Sequence, residues 1–115
     1  MVQIDSTRFG EIKIEGEVHY SDVYIFWDGD VIETETKVRH QFSTTEFSFL
    51  FRKRPEIVIV GTGQHSGLGI AEDVAQFASE NDIWLIVLDT PKAIQKFNDF
   101  VKSRRKVAAY IHVTC

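Results

Sequence analysis

The chain has 115 residues, of which 43% are hydrophobic, and its formal net charge is −4. This size and apolar content predict a single domain with a hydrophobic core over 1–115, while the negative charge argues against nucleic acid as a partner. The chain has one cysteine, no leader pattern and no apolar run of roughly 20 residues, so we expect a soluble cytoplasmic protein without membrane insertion.

Residues 1–42 predict an antiparallel β region, because apolar and polar residues alternate along them. Asp28-Gly29-Asp30 has the composition of a tight hairpin turn, since Asp and Gly tolerate the positive φ that such turns need. The return strand is expected at 31–38. This region should place one face of a small sheet on the core.

The strand before the hairpin turn is apolar on both faces. Val23, Ile25 and Trp27 point one way, so Tyr24 and Phe26 point the other way. Either another layer of the fold covers the Tyr24 face, or a partner binds there. A covering layer is the preferred interpretation.

A short helix is predicted over 43–54. Ser43 and Glu46 have the spacing of a capping box, in which each side chain satisfies a main-chain amide of the other residue. Phe42 and Phe47 flank this cap with the spacing of a hydrophobic staple.

Residues 55–115 predict alternating strands and helices. Uninterrupted apolar runs indicate strands that are buried on both faces, and right-handed crossovers should make the first two parallel. Thr90 is expected to cap the second helix, with Pro91 at its first position. The predicted elements are strand 57–60, a helix near 71–79, strand 83–88, the helix that begins at Thr90-Pro91, and strand 107–113.

A Gly-rich turn follows the first of these strands. Residues 62–69 read T-G-x-x-x-G-x-G, the cofactor signature of short-chain dehydrogenases, in which glycines let the backbone approach a pyrophosphate. Only 46 residues (115 − 69) follow the motif, and no tyrosine is followed four residues later by the lysine of that catalytic pair. The turn is therefore not expected to be an oxidoreductase site.

Two interpretations of the turn remain. Its glycines either provide the least strained path out of the strand, or they form a binding crevice together with the ends of neighbouring strands. For three residues outside the turn, structural roles compete with ligand binding: capping for Thr90, tethering or surface exposure for Asn98, and compensation of the helix dipole for Arg105. The candidate ligand-binding residues are Gly61, Thr62, Gly63, Gln64, Thr90, Asn98 and Arg105.

No catalytic or metal-binding set is apparent in the sequence. The four histidines lack metal-ligand spacing, and the single cysteine argues against a zinc site. His65 lies in the Gly-rich turn, where an exposed loop histidine is the simpler interpretation. We therefore expect no catalytic residue, no metal and no cofactor.

Several short motifs along the whole chain are together similar to one small family. They are the Gly61-Thr62-Gly63-Gln64 turn, Leu88-Asp89-Thr90, Phe97-Asn98 and Arg105-x-Val107-Ala108-Ala109, after an early Phe9-Gly10-Glu11-Ile12 strand. In this order the chain resembles the Mth nine-thirty-eight domain family, which includes mitochondrial complex I assembly factor 3 and the adipogenesis-associated domain protein. Ser103-Arg104-Arg105 stands where the family often has Glu-Gly-Arg, so Arg105 carries over and the acid does not.

The resemblance implies a three-layer α/β sandwich with a mixed central sheet and an additional antiparallel β layer. It also implies that the chain is not an enzyme and acts through protein partners in assembly or regulation. We therefore expect a non-enzymatic module that binds either an unidentified protein partner or a second copy of itself in a homo-oligomer. The alternative is a protein that binds an anion or a nucleotide at the Gly61–Gln64 turn.

Overall fold

The computed structural model describes residues 2–35 and 41–115. In these segments the chain forms ten strands and three helices. The strands are β1 (Ile4–Arg8), β2 (Glu11–Ile14), β3 (Glu17–His19), β4 (Asp22–Ile25), β5 (Val31–Thr34), β6 (Gln41–Phe42), β7 (Ile57–Gly61), β8 (Gly69–Ile70), β9 (Trp84–Leu88) and β10 (Val107–Ile111). The helices are α1 (Thr44–Phe51), α2 (Asp73–Glu80) and α3 (Thr90–Lys102).

The first third of the chain is antiparallel, as its alternating pattern predicts. β4 and β5 form the hairpin around Gly29, which has a φ of +101°. The return strand ends at Thr34, and the part of the prediction over 36–38 lies outside the described residues. Trp27 was expected to share the face of Val23, but it lies beyond the end of β4, where its indole nitrogen donates to the carbonyl oxygen of Lys53.

A mixed sheet forms the centre of the described fold, with strand order β5-β4-β10-β7-β9. β7 pairs in parallel with both β9 and β10, whereas β10 pairs antiparallel with β4. The predicted parallel pairing of the strands over 57–60 and 83–88, which are β7 and β9, is confirmed. β10 lies between two strand pairs, and all five of its residues are buried.

Layers pack on both faces of this sheet. One face carries α3 together with the separate antiparallel sheet β1-β2-β3, and the other carries α1 and α2. Phe97 of α3 and Phe47 of α1 are fully buried in the two cores. The three-layer sandwich with an additional antiparallel β layer is therefore confirmed.

Helix α1 begins as predicted and explains the second apolar face of β4. The amide of Ser43 donates to the Glu46 carboxylate at 2.7 Å, and the Ser43 hydroxyl accepts from Thr45 at 3.2 Å. Phe49 of α1 packs edge-on against the rings of Tyr24, at 4.7 Å between centroids, and Phe26, at 5.5 Å. A layer of the fold covers this face, as preferred, so it does not provide the partner surface.

Two predicted helix starts need correction. Asp89, not Thr90, caps α3, because its carboxylate accepts from the Lys92 amide at 3.1 Å. Helix α2 begins at Asp73, after strand β8, so the Gly-rich turn does not lead directly into a helix. Both differences arise because a pattern of residue types tolerates a shift of one or two positions.

Strand β9 was expected to be buried on both faces, and this is wrong. It lies at the edge of the central sheet, with 52% of Trp84 and 41% of Val87 exposed. An uninterrupted apolar run marks a strand, but only the sheet order decides whether that strand is central or at an edge.

Candidate functional site

The main-chain amides of the Gly-rich turn bind other parts of the same chain. Gln64 donates to the carbonyl oxygen of Thr114 at 2.7 Å. His65 and Gly67 both donate to the main-chain oxygen of Cys115, at 3.1 and 2.6 Å. An anion at this turn would have to displace residues 114–115, because these three amide donors are already used within the chain.

The glycines of the turn are explained by how closely the chain approaches itself. Gly63 has a φ of +107°, and a Cβ there would lie 2.3 Å from the main-chain carbonyl carbon of Cys115. A Cβ at Gly67 would lie 2.7 Å from the Cys115 oxygen. At Gly61 the nearest atom would be the Thr90 hydroxyl oxygen, at 3.0 Å. Glycine is therefore needed here for close packing, whether or not a ligand binds.

Thr90 connects three elements from a fully buried position. Its hydroxyl donates to the His112 carbonyl oxygen at 2.7 Å and accepts from the Gly63 amide at 2.9 Å. The first residue of α3 is thereby fixed to the turn and to the end of β10. The alternative role of Thr90 in a binding crevice is not supported, because its hydroxyl is used inside the fold.

Thr62 does line a groove at the carboxyl ends of β7 and β9. The groove has a volume of about 390 Å³. Its walls include Asp89, which caps α3, and Lys92. Thr62 is 5% exposed, and both its amide and its hydroxyl donate to the Leu88 carbonyl oxygen. At the start of α3, the Lys92 amide that a phosphate would use is already bound by the Asp89 carboxylate.

Gln64 and Asn98 attach the three-stranded sheet to the rest of the protein. The Gln64 side-chain amide donates to the Thr7 hydroxyl at 3.1 Å. Asn98 donates to the carbonyl oxygen of Ile4 at 2.8 Å and accepts from its amide at 2.9 Å. Asn98 thus has the tethering contacts that were weighed against ligand binding.

Arg105 does not join the other candidates. It precedes β10, and its Nε donates to the Glu56 carboxylate at 2.8 Å. Glu56 precedes β7, so this pair lies at the opposite end of the parallel strands from Gly61, about 16 Å away over five residues. This hydrogen bond, together with the Lys106 amide, holds the pKa of Glu56 below its usual value. The alternative in which Arg105 contributes to a ligand site at the Gly-rich turn is wrong.

A buried polar cluster near the turn was not anticipated from the sequence. Asp22 accepts from the Tyr110 hydroxyl at 2.5 Å and from the Val113 amide at 3.0 Å. The Nδ1 atom of His112 lies 2.9 Å from the same carboxylate, and its Nε2 lies 3.2 Å from the Thr114 hydroxyl. Burial and the Asp22 carboxylate raise the pKa of Tyr110, so its phenol stays protonated.

This cluster has the order carboxylate, imidazole, hydroxyl that nucleophilic enzymes use. Asp22 is fully buried and His112 is 3% exposed, so neither group is presented to a substrate at the surface. The contacts instead fix β4 to β10 and to the segment that follows β10. No local pattern could have revealed the cluster, because Asp22 and His112 are 90 residues apart.

The outer edge of β9 differs from the turn because its polar groups face outward. The Trp84 amide donates to Glu56, and the Leu88 carbonyl accepts from Thr62, so these residues face β7. Alternate residues of a strand direct their main-chain groups to opposite sides, so those of Leu85 and Val87 point away from the sheet. Among the described strands, none pairs with this edge.

Residues 2–35 and 41–115 contain neither a metal-binding group nor a membrane-spanning helix. In these ranges no three His, Cys, Asp or Glu side chains are grouped so that they could hold a metal ion. None of the helices found there has the length and apolar character needed to cross a membrane.

Comparison with known proteins gives one family and several similar structures. A model of the family described as "Protein of unknown function (DUF498/DUF598)" matches residues 4–112. The structure named MT938 is 28% identical, with 100% of each chain covered and a TM-score of 0.83. The hypothetical protein PH1505 from Pyrococcus horikoshii is 23% identical, with 98% of this chain and 99% of that chain covered and a TM-score of 0.82.

A third similar structure carries the name of the fold. It is the solution structure of a Bordetella pertussis protein that is described as a Mth938-like domain. It is 14% identical, with 96% of this chain and 85% of that chain covered, and its TM-score is 0.75. The resemblance found in the sequence motifs is thereby confirmed.

Proposed function

This chain belongs to the family of proteins of unknown function DUF498/DUF598, and on that premise we propose that it is a non-enzymatic module that binds a protein partner along the outer edge of β9. The observation that carries the proposal is the outward direction of the main-chain groups of Leu85 and Val87 in an apolar edge strand. Proteins normally protect such an edge with charges, proline or a covering element, because it can pair with another strand.

The composition of β9 supports this interpretation. Its sequence, Trp-Leu-Ile-Val-Leu, contains no charged residue and no proline. β5, at the other edge of the sheet, carries Glu33, whose carboxylate lies 2.6 Å from the Nδ1 atom of His19. Of the two edges, the one that lacks a charge is therefore the better candidate for strand addition.

The alternative, an anion or nucleotide site at Gly61–Gln64, has weaker support. The amides that such a ligand needs donate to Thr114 and Cys115, and Asp89 already occupies the start of α3. Catalysis is likewise not part of the proposal, because the Asp22 cluster is enclosed by the fold. We propose that the protein acts in the cytoplasm, as expected from its sequence, and in the assembly or regulation of its partner, as the resemblance implies.

Site-specific photo-crosslinking in the native host tests the proposal. A photoreactive phenylalanine derivative replaces Val87 on β9 or, as the control, Ile32 on β5, and both positions are 41% exposed. We expect a specific protein adduct from position 87 and none from position 32. Equal labelling from both positions, or no adduct from position 87, would contradict the proposal. A thermal-shift screen with nucleotides tests the alternative, because a bound ligand raises Tm.

A further inference from the structure

We infer that the partner of the β9 edge is a second copy of this chain, paired antiparallel about a two-fold axis at Ile86. This inference rests on the proposed function, because it specifies the occupant of the same edge. The pairing would join two central sheets into one continuous ten-stranded sheet, twice the five strands of a single copy.

The hydrogen-bonding pattern selects the register. Only Leu85 and Val87 within β9 direct their main-chain groups outward, so both must pair for the edge to be satisfied. An antiparallel copy achieves this when Leu85 lies opposite Val87 of the other copy, because each such pair exchanges two hydrogen bonds. Ile86 then lies opposite itself.

The side chains match in this register. On the α3 face, Trp84, which contacts the Phe100 ring at 5.4 Å between centroids, would lie opposite the half-buried Leu88 of the other copy. On the other face, the exposed Val87 would lie opposite the half-buried Leu85. Each of the two exposed apolar side chains of β9 thus gains an apolar neighbour, and directly opposed pairs of this kind stabilise sheets.

Charge also favours two antiparallel copies. The connection before β9 is acidic, with Glu80 at the end of α2 and Asp82 after it, whereas Asp89 and the exposed Lys92 follow the strand as an ion pair, 3.7 Å apart. Antiparallel pairing brings the acidic connection of one copy to the end of the joint where the other copy has this ion pair, so the acidic groups meet a lysine as well as Asp89. Parallel pairing would instead bring the two acidic connections together, with like charges adjacent.

Cysteine crosslinking tests both the occupant and the register. In a Cys115→Ser background, Ile86→Cys places the two sulfur-bearing residues opposite each other, at about 4.5 Å between Cα atoms, which a disulfide can span. Val87→Cys is the control, because residues 87 of the two copies would be diagonal neighbours at roughly 7–8 Å. We expect Ile86→Cys to form a covalent dimer several-fold faster, although position 87 is the more exposed.

Sedimentation of the unmodified chain and of Val87→Lys completes the test. We expect the mass of two 13.2 kDa chains for the first and of one chain for Val87→Lys, with Ile32→Lys still dimeric. A monomer, or faster crosslinking at position 87 than at 86, overturns the inference. If the photo-crosslinker at position 87 then captures a different protein, the proposed function stands without it. If it captures nothing, both fail.

Discussion

The Gly-rich turn and strand β9 are neighbours at one end of the central sheet, yet they use their main-chain polar groups in opposite ways. In the turn, the amides of Gln64, His65 and Gly67 are all bound by residues 114–115. In β9, the groups of Leu85 and Val87 face outward from the sheet. A glycine motif thus indicates that a backbone approaches closely, but it does not indicate whose backbone or which ligand approaches. Main-chain groups that face outward are therefore a better guide to a binding surface than a glycine motif.

The largest loss of stability is expected when a side chain is added to the glycine that packs most closely in the turn. Gly63→Ala combines a left-handed φ with a Cβ placed 2.3 Å from the Cys115 carbonyl carbon. We expect it to lower the free energy of unfolding by about 3 kcal/mol in chemical denaturation. Gly29→Ala is the matched control, because its φ is +101° but nothing lies within 4 Å. Equal losses for the two variants would show that the contact with Cys115 has no energetic weight.

A smaller loss of stability is expected when the turn keeps its glycines but loses its hydrogen bond to the Thr90 hydroxyl. Thr90→Val retains the side-chain volume, and it leaves the Gly63 amide and the His112 carbonyl oxygen without their buried partner. We expect a loss of about 2 kcal/mol in the free energy of unfolding. Thr62→Val should cost less, because the Leu88 carbonyl oxygen still accepts from the Thr62 amide. The reverse order would indicate that the Thr90 hydroxyl does not join these elements.

Hydrogen exchange at different protein concentrations compares the two regions directly. The Gln64 and Gly67 amides should exchange at the same rate at every concentration, because their acceptors are in the same chain. Exchange of the Leu85 and Val87 amides should slow about tenfold once only about one chain in ten is monomeric, and this slowing is equivalent to ~1.4 kcal/mol. Concentration-independent exchange at Leu85 and Val87 would contradict the self-pairing of β9.

The smallest effect is expected at Arg105. Arg105→Ala should raise the pKa of Glu56 towards its usual value, because the hydrogen bond that lowers it is removed. A lowered folded-state pKa stabilises the fold above the unfolded pKa, and this contribution disappears as the pH falls through the folded value. At neutral pH we expect a loss of about 0.5 kcal/mol for this exposed pair. NMR titration of Glu56 measures the shift, with Lys102→Ala as the control.

The local features of the fold were predictable because neighbouring residues determine them. Ser43 and Glu46 identify the start of α1, and Asp28-Gly29-Asp30 identifies the hairpin. The edge position of β9 was not predictable, because an apolar run looks the same in the centre of a sheet as at its border.

The candidate site depended still more on distant contacts. Gly63 was recognised as a turn residue, but the segment that packs against it comes from position 115. Arg105 was a candidate ligand contact at the turn, although its place before β10 puts it at the other end of the sheet. Asp22 and His112 are brought into contact by the antiparallel pairing of β4 with β10. None of these relations leaves a periodic signal in the sequence.

The central position of β10 also has a consequence for how the chain reaches its native state. Until residues 107–111 are in place, the β4–β5 hairpin and the parallel β7–β9 pair have no strand to join them. The contacts that close the sheet therefore link segments far apart in the chain, and folding dominated by such contacts is slow. During that interval both strand pairs expose extra edges, so we expect the protein to need low concentration or a chaperone while it folds.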